Sequence, residues 1–151
     1  MKKITFLICF STLLFSCDQL LGEEVARLKI NKTSNSELHL QEAALSLKKS
    51  DKISFWTETD VVYENDVALM YTIEIWKDSI NIGGLKLDAL KTNPTLMELR
   101  KTIGNKTSWS FSGKMRHITI KETGNYTFKA ILKSSDNPTL KVNKAELVLK
   151  K

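Results

Sequence analysis

Apolar side chains occupy every second position of the stretch Leu69-Met70-Tyr71-Thr72-Ile73-Glu74-Ile75-Trp76. Leu69, Tyr71, Ile73 and Ile75 share one side, and the residues between them share the other. Successive side chains of an extended strand point to opposite faces. This period of two therefore predicts a β-strand with one buried face, since a helix would repeat every three to four residues.

Short runs with the same alternation lie on both sides of this stretch. Ile53, Phe55 and Thr57 precede it, and later runs follow at Trp109–Phe111, Ile118–Ile120, Tyr126–Leu132 and Leu140–Leu149. Turn-forming residues separate the runs, at Asn65-Asp66, Asp78-Ser79, Gly83-Gly84, Gly124-Asn125 and Asp136-Asn137-Pro138. We predict one all-β domain over residues 25–151, an antiparallel β-sandwich of seven or eight strands.

Three parts of the sequence do not follow the simple alternation. The segment Ser36–Lys48 suits a short helix or strands equally well. The segment Thr95–Lys101, which follows Asn93-Pro94, suits one or two helical turns or an edge strand. The last run changes parity near Asn143, which predicts a β-bulge, because one extra residue resets the side to which its neighbours point.

The run Glu122-Thr123-Gly124-Asn125-Tyr126-Thr127-Phe128 places a glycine two residues before a tyrosine. In this it resembles the turn and strand of immunoglobulin-like sandwiches, in which the tyrosine hydroxyl ties a loop to the strand. Phe128 stands where antibody domains place a cysteine, so the resemblance implies a disulfide-free sandwich. It bears on the fold and not on the function.

Residues 1–16 have the three parts of a secretory signal peptide. Lys2 and Lys3 are basic, the run from Ile4 to Phe15 is mainly apolar, and the small residue Ser16 precedes a cleavage point. The apolar run is shorter than the roughly twenty residues that a spanning helix needs. We therefore expect the leader to be removed.

The end of this leader, Leu14-Phe15-Ser16-Cys17, resembles the lipobox of bacterial lipoproteins, although Phe15 departs from the usual small or β-branched residue. The resemblance implies diacylglyceryl transfer to Cys17, cleavage before it, and acyl chains that anchor the protein to a membrane. Residues 17–24 would then be the lipidated cysteine and a short tether. Asp18 is similar to the inner-membrane retention signal of enteric bacteria, whereas an acidic start is also similar to surface-exported lipoproteins of Bacteroidota. The outer and inner membranes of the cell envelope both remain open.

Composition limits the partners of the mature chain. The apolar and charged fractions of the full sequence, 42% and 26%, are those of an ordinary globular protein. The net charge is +6, and loss of Lys2 and Lys3 reduces it to +4. The lysines form no basic stripe that could follow a phosphate backbone, so we predict no nucleic-acid partner. Cys9 lies in the leader and Cys17 would be alkylated, which leaves no thiol for disulfides or catalysis.

The sequence also contains no catalytic or cofactor motif, and we predict a non-enzyme without a cofactor or metal. Phe111-Ser112-Gly113 lacks the glycine that precedes the serine of a nucleophile elbow. His39 and His117 lie in strand-like runs, which is typical of exposed or hydrogen-bonded side chains. Four acidic residues near one turn do not match an EF-hand calcium loop: Glu58, Asp60, Glu64 and Asp66.

Two tryptophans are the candidate ligand-binding residues. Alternation places Trp56 and Trp76 opposite the apolar faces of their strands. If the two strands form a hairpin centred on Asn65, Trp76 lies across from Ser54 and diagonal to Trp56, within contact distance. A flat indole pair stacks well on a sugar ring or anchors a protein partner. The alternative is that a second sheet or the segment before Ile53 covers both rings.

We therefore expect an envelope-anchored, non-catalytic β-sandwich lipoprotein that binds a glycan or protein ligand at the cell surface or in the periplasm. The alternative is a structural or assembly subunit of an envelope complex without a free ligand. Asp78-Ser79-Ile80 is similar to the short O-glycosylation acceptor motif of Bacteroidota, which makes Ser79 a candidate modification site.

Overall fold

The structure, a computed structural model, describes residues 21–151. The signal peptide, the lipobox and Cys17 lie outside this range. The described chain contains nine strands: β1 Glu24–Lys29, β2 Gln41–Leu47, β3 Lys52–Glu64, β4 Leu69–Lys77, β5 Ile80–Asp88, β6 Thr95–Ile103, β7 Lys106–Thr119, β8 Gly124–Ser134 and β9 Lys141–Lys150. Among residues 21–151, none of the helical structure is long and apolar enough to cross a membrane.

The strands form two antiparallel sheets. One has five strands in the order β1-β9-β3-β7-β6, and the other has four in the order β2-β8-β4-β5. The predicted all-β sandwich is confirmed, with nine strands in place of seven or eight.

The core lies between the two sheets and follows the alternation in the sequence. Every second residue from Leu69 to Ile75 is buried, as the opening stretch predicts. Ile53 and Phe55 of β3 face this layer, and Phe55 meets Phe128 of β8 edge to face, with ring centroids 5.9 Å apart. Such aromatic pairs add to the stabilisation from apolar burial alone.

The bulge predicted near Asn143 is confirmed. On β3, Asp60 pairs with Lys144 and the next residue, Val61, pairs with Val142, so Asn143 is the extra residue of β9. This lets apolar side chains on both sides of the bulge reach the core.

Both ambiguous segments contain strands. Residues Gln41–Leu47 form β2 within Ser36–Lys48, and Thr95–Lys101 belongs to β6. β6 is the outer strand of the five-stranded sheet and carries its own bulge between Leu96 and Leu99, where Met97 has a φ of 51°.

One predicted turn is wrong. Gly83-Gly84 lies inside β5 and not between strands. A Cβ on Gly84 would lie 2.7 Å from the carbonyl oxygen of Ile73, so the glycine allows β5 to approach β4 closely. By contrast, Asp78-Ser79 makes the tight β4–β5 turn with φ angles of 46° and 69°, as expected of a two-residue hairpin. Ser79 is exposed there, and its glycosylation stays a prediction.

The predicted hairpin centred on Asn65 is also wrong. β3 pairs with β7 and β9, whereas β4 pairs with β5 and β8. Residues 65–68 therefore carry the chain from one sheet to the other. Asn65 has the positive φ typical of a turn, 60°, but its backbone N–H binds the carbonyl of Asn105 at 2.9 Å.

The loops gather at two ends of the sandwich. At the proximal end, Glu23 and Lys151 exchange backbone hydrogen bonds of 3.0 and 2.8 Å, and the turn before β3 binds the end of β7 through Ser50 and Ile120. At the distal end lie the turns at residues 64–68, 104–106 and 134–140. The long strand β3 connects the two ends.

The tie expected from the immunoglobulin-like resemblance is present. The Tyr126 hydroxyl donates a hydrogen bond of 2.7 Å to the carbonyl oxygen of Glu122. Its ring is buried, so one side chain joins the core to the loop between β7 and β8.

We expect Tyr126→Phe to lower the free energy of unfolding by about 1 kcal/mol, because a part-buried carbonyl loses its donor while the ring stays in place. Urea denaturation of the two proteins measures this difference. Tyr63→Phe is the matched control, since the Tyr63 hydroxyl has no hydrogen-bond partner within residues 21–151. Equal losses in the two variants would contradict a stabilising role for the tie.

Candidate functional site

Each of the three tryptophans holds a cation over its ring, 4.5–4.6 Å from the centroid. The pairs are Trp56 with Lys150, Trp76 with Lys129, and Trp109 with Arg100. A cation at this distance is attracted to the face of the indole ring. The three sites differ in burial and in what surrounds the ring.

Trp56 is covered, which is one of the two alternatives that the sequence leaves open. It points outward from the five-stranded sheet, between Lys114 of β7 and Val148 of β9, yet only 3% of it is exposed. A central strand has neighbours on both sides, and these flank the ring. Its buried Nε1 has no hydrogen-bond partner among the described residues.

Trp56 and Trp76 do not form a pair. β3 belongs to the five-stranded sheet and β4 to the four-stranded sheet, and both side chains point away from the core between the sheets. The two rings therefore lie on opposite outer surfaces of the sandwich. A ligand platform built from both indoles is excluded by this geometry.

Trp76 alone has the surroundings of a binding surface. Its ring is half-buried, and its Nε1 donates a 3.0 Å hydrogen bond to the Glu74 carboxylate. Asn81 of β5 and Thr127 of β8 are its cross-strand neighbours. We call these residues, together with Lys129, the Trp76 face.

The Trp76 face combines a flat apolar ring with groups of every hydrogen-bonding type. Glu74 accepts, Lys129 donates, and Asn81 and Thr127 do both. The exposed glycines Gly83 and Gly84 leave the adjoining part of β5 without side chains. This arrangement suits a sugar ring or the polar and apolar groups of a peptide.

Trp109 also has a carboxylate at Nε1 and a cation over its ring, but its ring is packed differently. Its Nε1 donates to the Glu98 carboxylate at 2.9 Å, and Arg100 lies over the ring. The ring also packs on Phe111, with centroids 4.6 Å apart, and contacts the core between the sheets. It is therefore a packing residue with charged neighbours.

A charged network covers part of the outer face of the five-stranded sheet. Arg27 binds the carboxylates of Glu24, Glu58 and Glu146, and Lys144 binds Glu58 and Glu146. Hydrogen bonds from Arg27, and then from Lys144, lower the pKa of Glu58 from 4.5 to about 2 despite its partial burial. Hydrogen bonds to Glu24, and then to Glu58 and Glu146, raise the pKa of Arg27.

The other candidates from the sequence are dispersed. Glu58 is occupied by cations, Asp60 accepts a hydrogen bond from Asn143, and Glu64 accepts one from Asn105. Within residues 21–151, no group of three or more His, Cys, Asp or Glu side chains is placed to hold a metal ion. His39 and His117 lie far apart in the chain, one in the loop before β2 and one exposed on β7.

A cleft of about 380 Å³ opens between the end of β5 and β7. Its lining includes Lys86, Asp88, Lys91 and Arg116 over the apolar side chains of Leu87 and Met115. It does not include any residue of the Trp76 face.

Comparisons with known proteins do not assign the chain to a family. No protein-family profile matches it, and no curated protein matches it. Among solved structures, a beta-glucosidase from Paenibacillus barengoltzii is similar over 81% of this chain and 10% of that chain, with 13% identity and a TM-score of 0.30. The chain thus spans about a tenth of the length of that enzyme, and a likeness of this size carries no argument about fold or activity.

We expect Glu58→Gln to reduce the loss of unfolding free energy that the protein shows as the pH becomes acidic. The folded pKa of Glu58 is about 2, below its ordinary 4.5, so its contribution is complete above about 4.5 and is lost as the pH falls toward 2. The variant should be less stable than the parent at neutral pH, and the difference should shrink as the pH falls. Urea denaturation across this range measures it.

Glu64→Gln is the control, since Glu64 contacts Asn105 and no cation within the described chain. A difference between parent and Glu58→Gln that stays constant with pH would contradict the assignment.

Proposed function

We propose that this chain is a lipid-anchored, non-catalytic β-sandwich lipoprotein of the bacterial cell envelope, and that it binds a glycan or protein ligand through the Trp76 face. The observation that carries the proposal is a half-exposed indole on the outer surface of a sheet, bordered by a carboxylate, an amide, a hydroxyl and an ammonium group. In this proposal the leader directs the chain to lipidation, and Cys17 carries the acyl chains of the anchor.

The contacts of Trp76 in the free protein are compatible with ligand binding. Lys129 lies over the ring and Glu74 holds its Nε1, so the indole is already oriented. An exposed cation–π contact contributes about 0.5–1 kcal/mol. Truncation of a tryptophan at the centre of a binding surface typically costs about 2 kcal/mol or more of binding free energy. A sugar ring or a partner side chain can therefore displace the lysine with a net gain.

We expect Cys17→Ser to abolish lipid attachment. Diacylglyceryl transfer needs the thiol and precedes cleavage, so the variant should not incorporate labelled palmitate and should keep the mass of the uncut precursor. Cys9→Ser is the matched control, because this cysteine lies in the leader and should leave both readouts unchanged. Labelling that persists in Cys17→Ser would refute the anchor.

We expect Trp76→Ala to weaken ligand binding by about thirtyfold, since truncation removes the flat contact surface. The measurement is a glycan array and a pull-down from envelope extract, followed by titration of whatever binds. Trp109→Ala is the control, as this ring has the same charged neighbours but packs on Phe111 and the core. Circular dichroism of both variants checks that the sandwich is intact. Equal binding by the parent and by Trp76→Ala would refute the Trp76 face.

A second candidate function is an assembly subunit of an envelope complex. The outer strands β5 and β6 expose large apolar side chains that the sandwich does not bury: Ile80 68%, Ile82 54%, Met97 82%, Leu99 74% and Ile103 68%. Exposed apolar residues on edge strands are typical of surfaces that dock on another protein. Co-purification of a stoichiometric partner from native membranes, retained in Trp76→Ala and lost in a variant with Ile80 and Ile82 changed to Lys, would favour this role over free-ligand binding.

A further inference from the structure

Exposed lysines gather at the proximal end of the sandwich. Two lie in the turn before β3, one begins β3, and one follows Ile120 at the end of β7, whose backbone binds that turn. They are Lys48, Lys49, Lys52 and Lys121, and all four are exposed.

Three acidic groups at this end are bound to other cations, whereas Glu23 is exposed and forms no ion pair within residues 21–151. Asp51 forms an ion pair with Lys151 at 2.7 Å. Asp78 and Glu122 both bind Lys77, at 3.1 and 3.3 Å. Within residues 21–151, none of the four exposed lysines takes part in an ion pair. Their charges therefore face the solvent.

The distal end has a different charge pattern. Its turns carry Glu64, Asp66 and Asp136 together with Lys106, Lys133 and Lys141, so opposite charges alternate there. The thirteen residues of β3 separate the two ends by roughly 40 Å, at about 3.3 Å per residue. Screening at physiological ionic strength acts over about 8 Å. A charged surface at one end therefore exerts almost no force at the other.

The chain enters the sandwich at the proximal end. Glu23 pairs there with Lys151, and Gly22 lies against the same residue. Four residues lie between Cys17 and Gly22, and an extended chain reaches at most about 18 Å over these five steps. If Cys17 carries the lipid anchor, as proposed above, the four lysines are held next to the membrane surface.

We propose that the proximal end binds the anionic phospholipid headgroups of the membrane that carries the anchor, through Lys48, Lys49, Lys52 and Lys121. A basic patch next to a lipid anchor adds to its hold on a membrane. It also orients the domain, since only this end is attracted. The Trp76 face and the outer strands are then turned to the side, where partners reach them.

The test uses a form of the protein that begins at Asp18 and so lacks the anchor. It keeps all nine strands and the whole core, and any vesicle binding then reports the domain surface alone. Sedimentation with vesicles of phosphatidylglycerol and phosphatidylcholine, and with vesicles of phosphatidylcholine alone, gives the partition coefficients. The test variant has Lys48, Lys49, Lys52 and Lys121 changed to Gln.

The matched control has Lys32, Lys106, Lys133 and Lys141 changed to Gln. These four are also exposed and lie toward the distal end or on the distal turns, so the net charge falls by the same amount.

We expect the parent to bind the anionic vesicles and not the neutral ones, the test variant to lose at least about tenfold in partition coefficient, and the control to stay within about twofold of the parent. Equal losses in the two variants would show attraction by net charge only and would overturn the proposal. So would a parent that does not prefer anionic vesicles. Neither result bears on Cys17 or on Trp76, because this form has no anchor and the assay contains no ligand.

Discussion

Burial of every second side chain of β3 is the constraint on which the rest of the structure depends. This strand pairs along most of its length with both β7 and β9. Its inward side includes Phe55 and two buried threonines, Thr57 and Thr59, whose hydroxyls bind each other at 2.7 Å while Thr57 also reaches the Tyr71 hydroxyl at 3.3 Å. A shift of β3 by one residue would turn Glu58 and the other outward side chains into the core between the sheets. Alternative registers of this strand are therefore strongly disfavoured.

Local rules in the sequence predicted much of this fold. The alternation of apolar residues, the bulge at Asn143 and the loop tie of Tyr126 each depend on a few consecutive residues, and all three are present in the structure. The partner of a strand depends on distant residues, and there the sequence failed. Asn65-Asp66 is typical of a turn, but no nearby residue shows that residues 65–68 lead from one sheet to the other. The predicted pairing of Trp56 with Trp76 depended on a hairpin there, so it was wrong as well. The sequence did not predict β5 as a continuous strand. It contains Gly83-Gly84, and in a sequence glycines that allow two strands to pack closely have the same appearance as glycines that form a turn.

Charge and aromatic surface are coupled throughout this molecule. All three indoles are covered by a basic side chain, and two of them also bind a glutamate through Nε1. Trp76 precedes Lys77, whose ion pairs lie at the proximal end, so the candidate binding surface and the basic end adjoin each other. If the proximal end lies on a membrane, as proposed, a ligand of the Trp76 face would bind close to that membrane surface.

The irregular outer strand β6 has a consequence for how copies of this protein meet. A straight, unpaired edge is a template on which identical chains can zip together. Here the backbone turns out of line at Met97, and the bulge between Leu96 and Leu99 interrupts the row of hydrogen-bonding groups along the edge. Edge-to-edge pairing of copies through β6 therefore has no continuous row of backbone groups to extend, whereas the exposed side chains of Met97 and Leu99 leave the face of this strand open to a different partner.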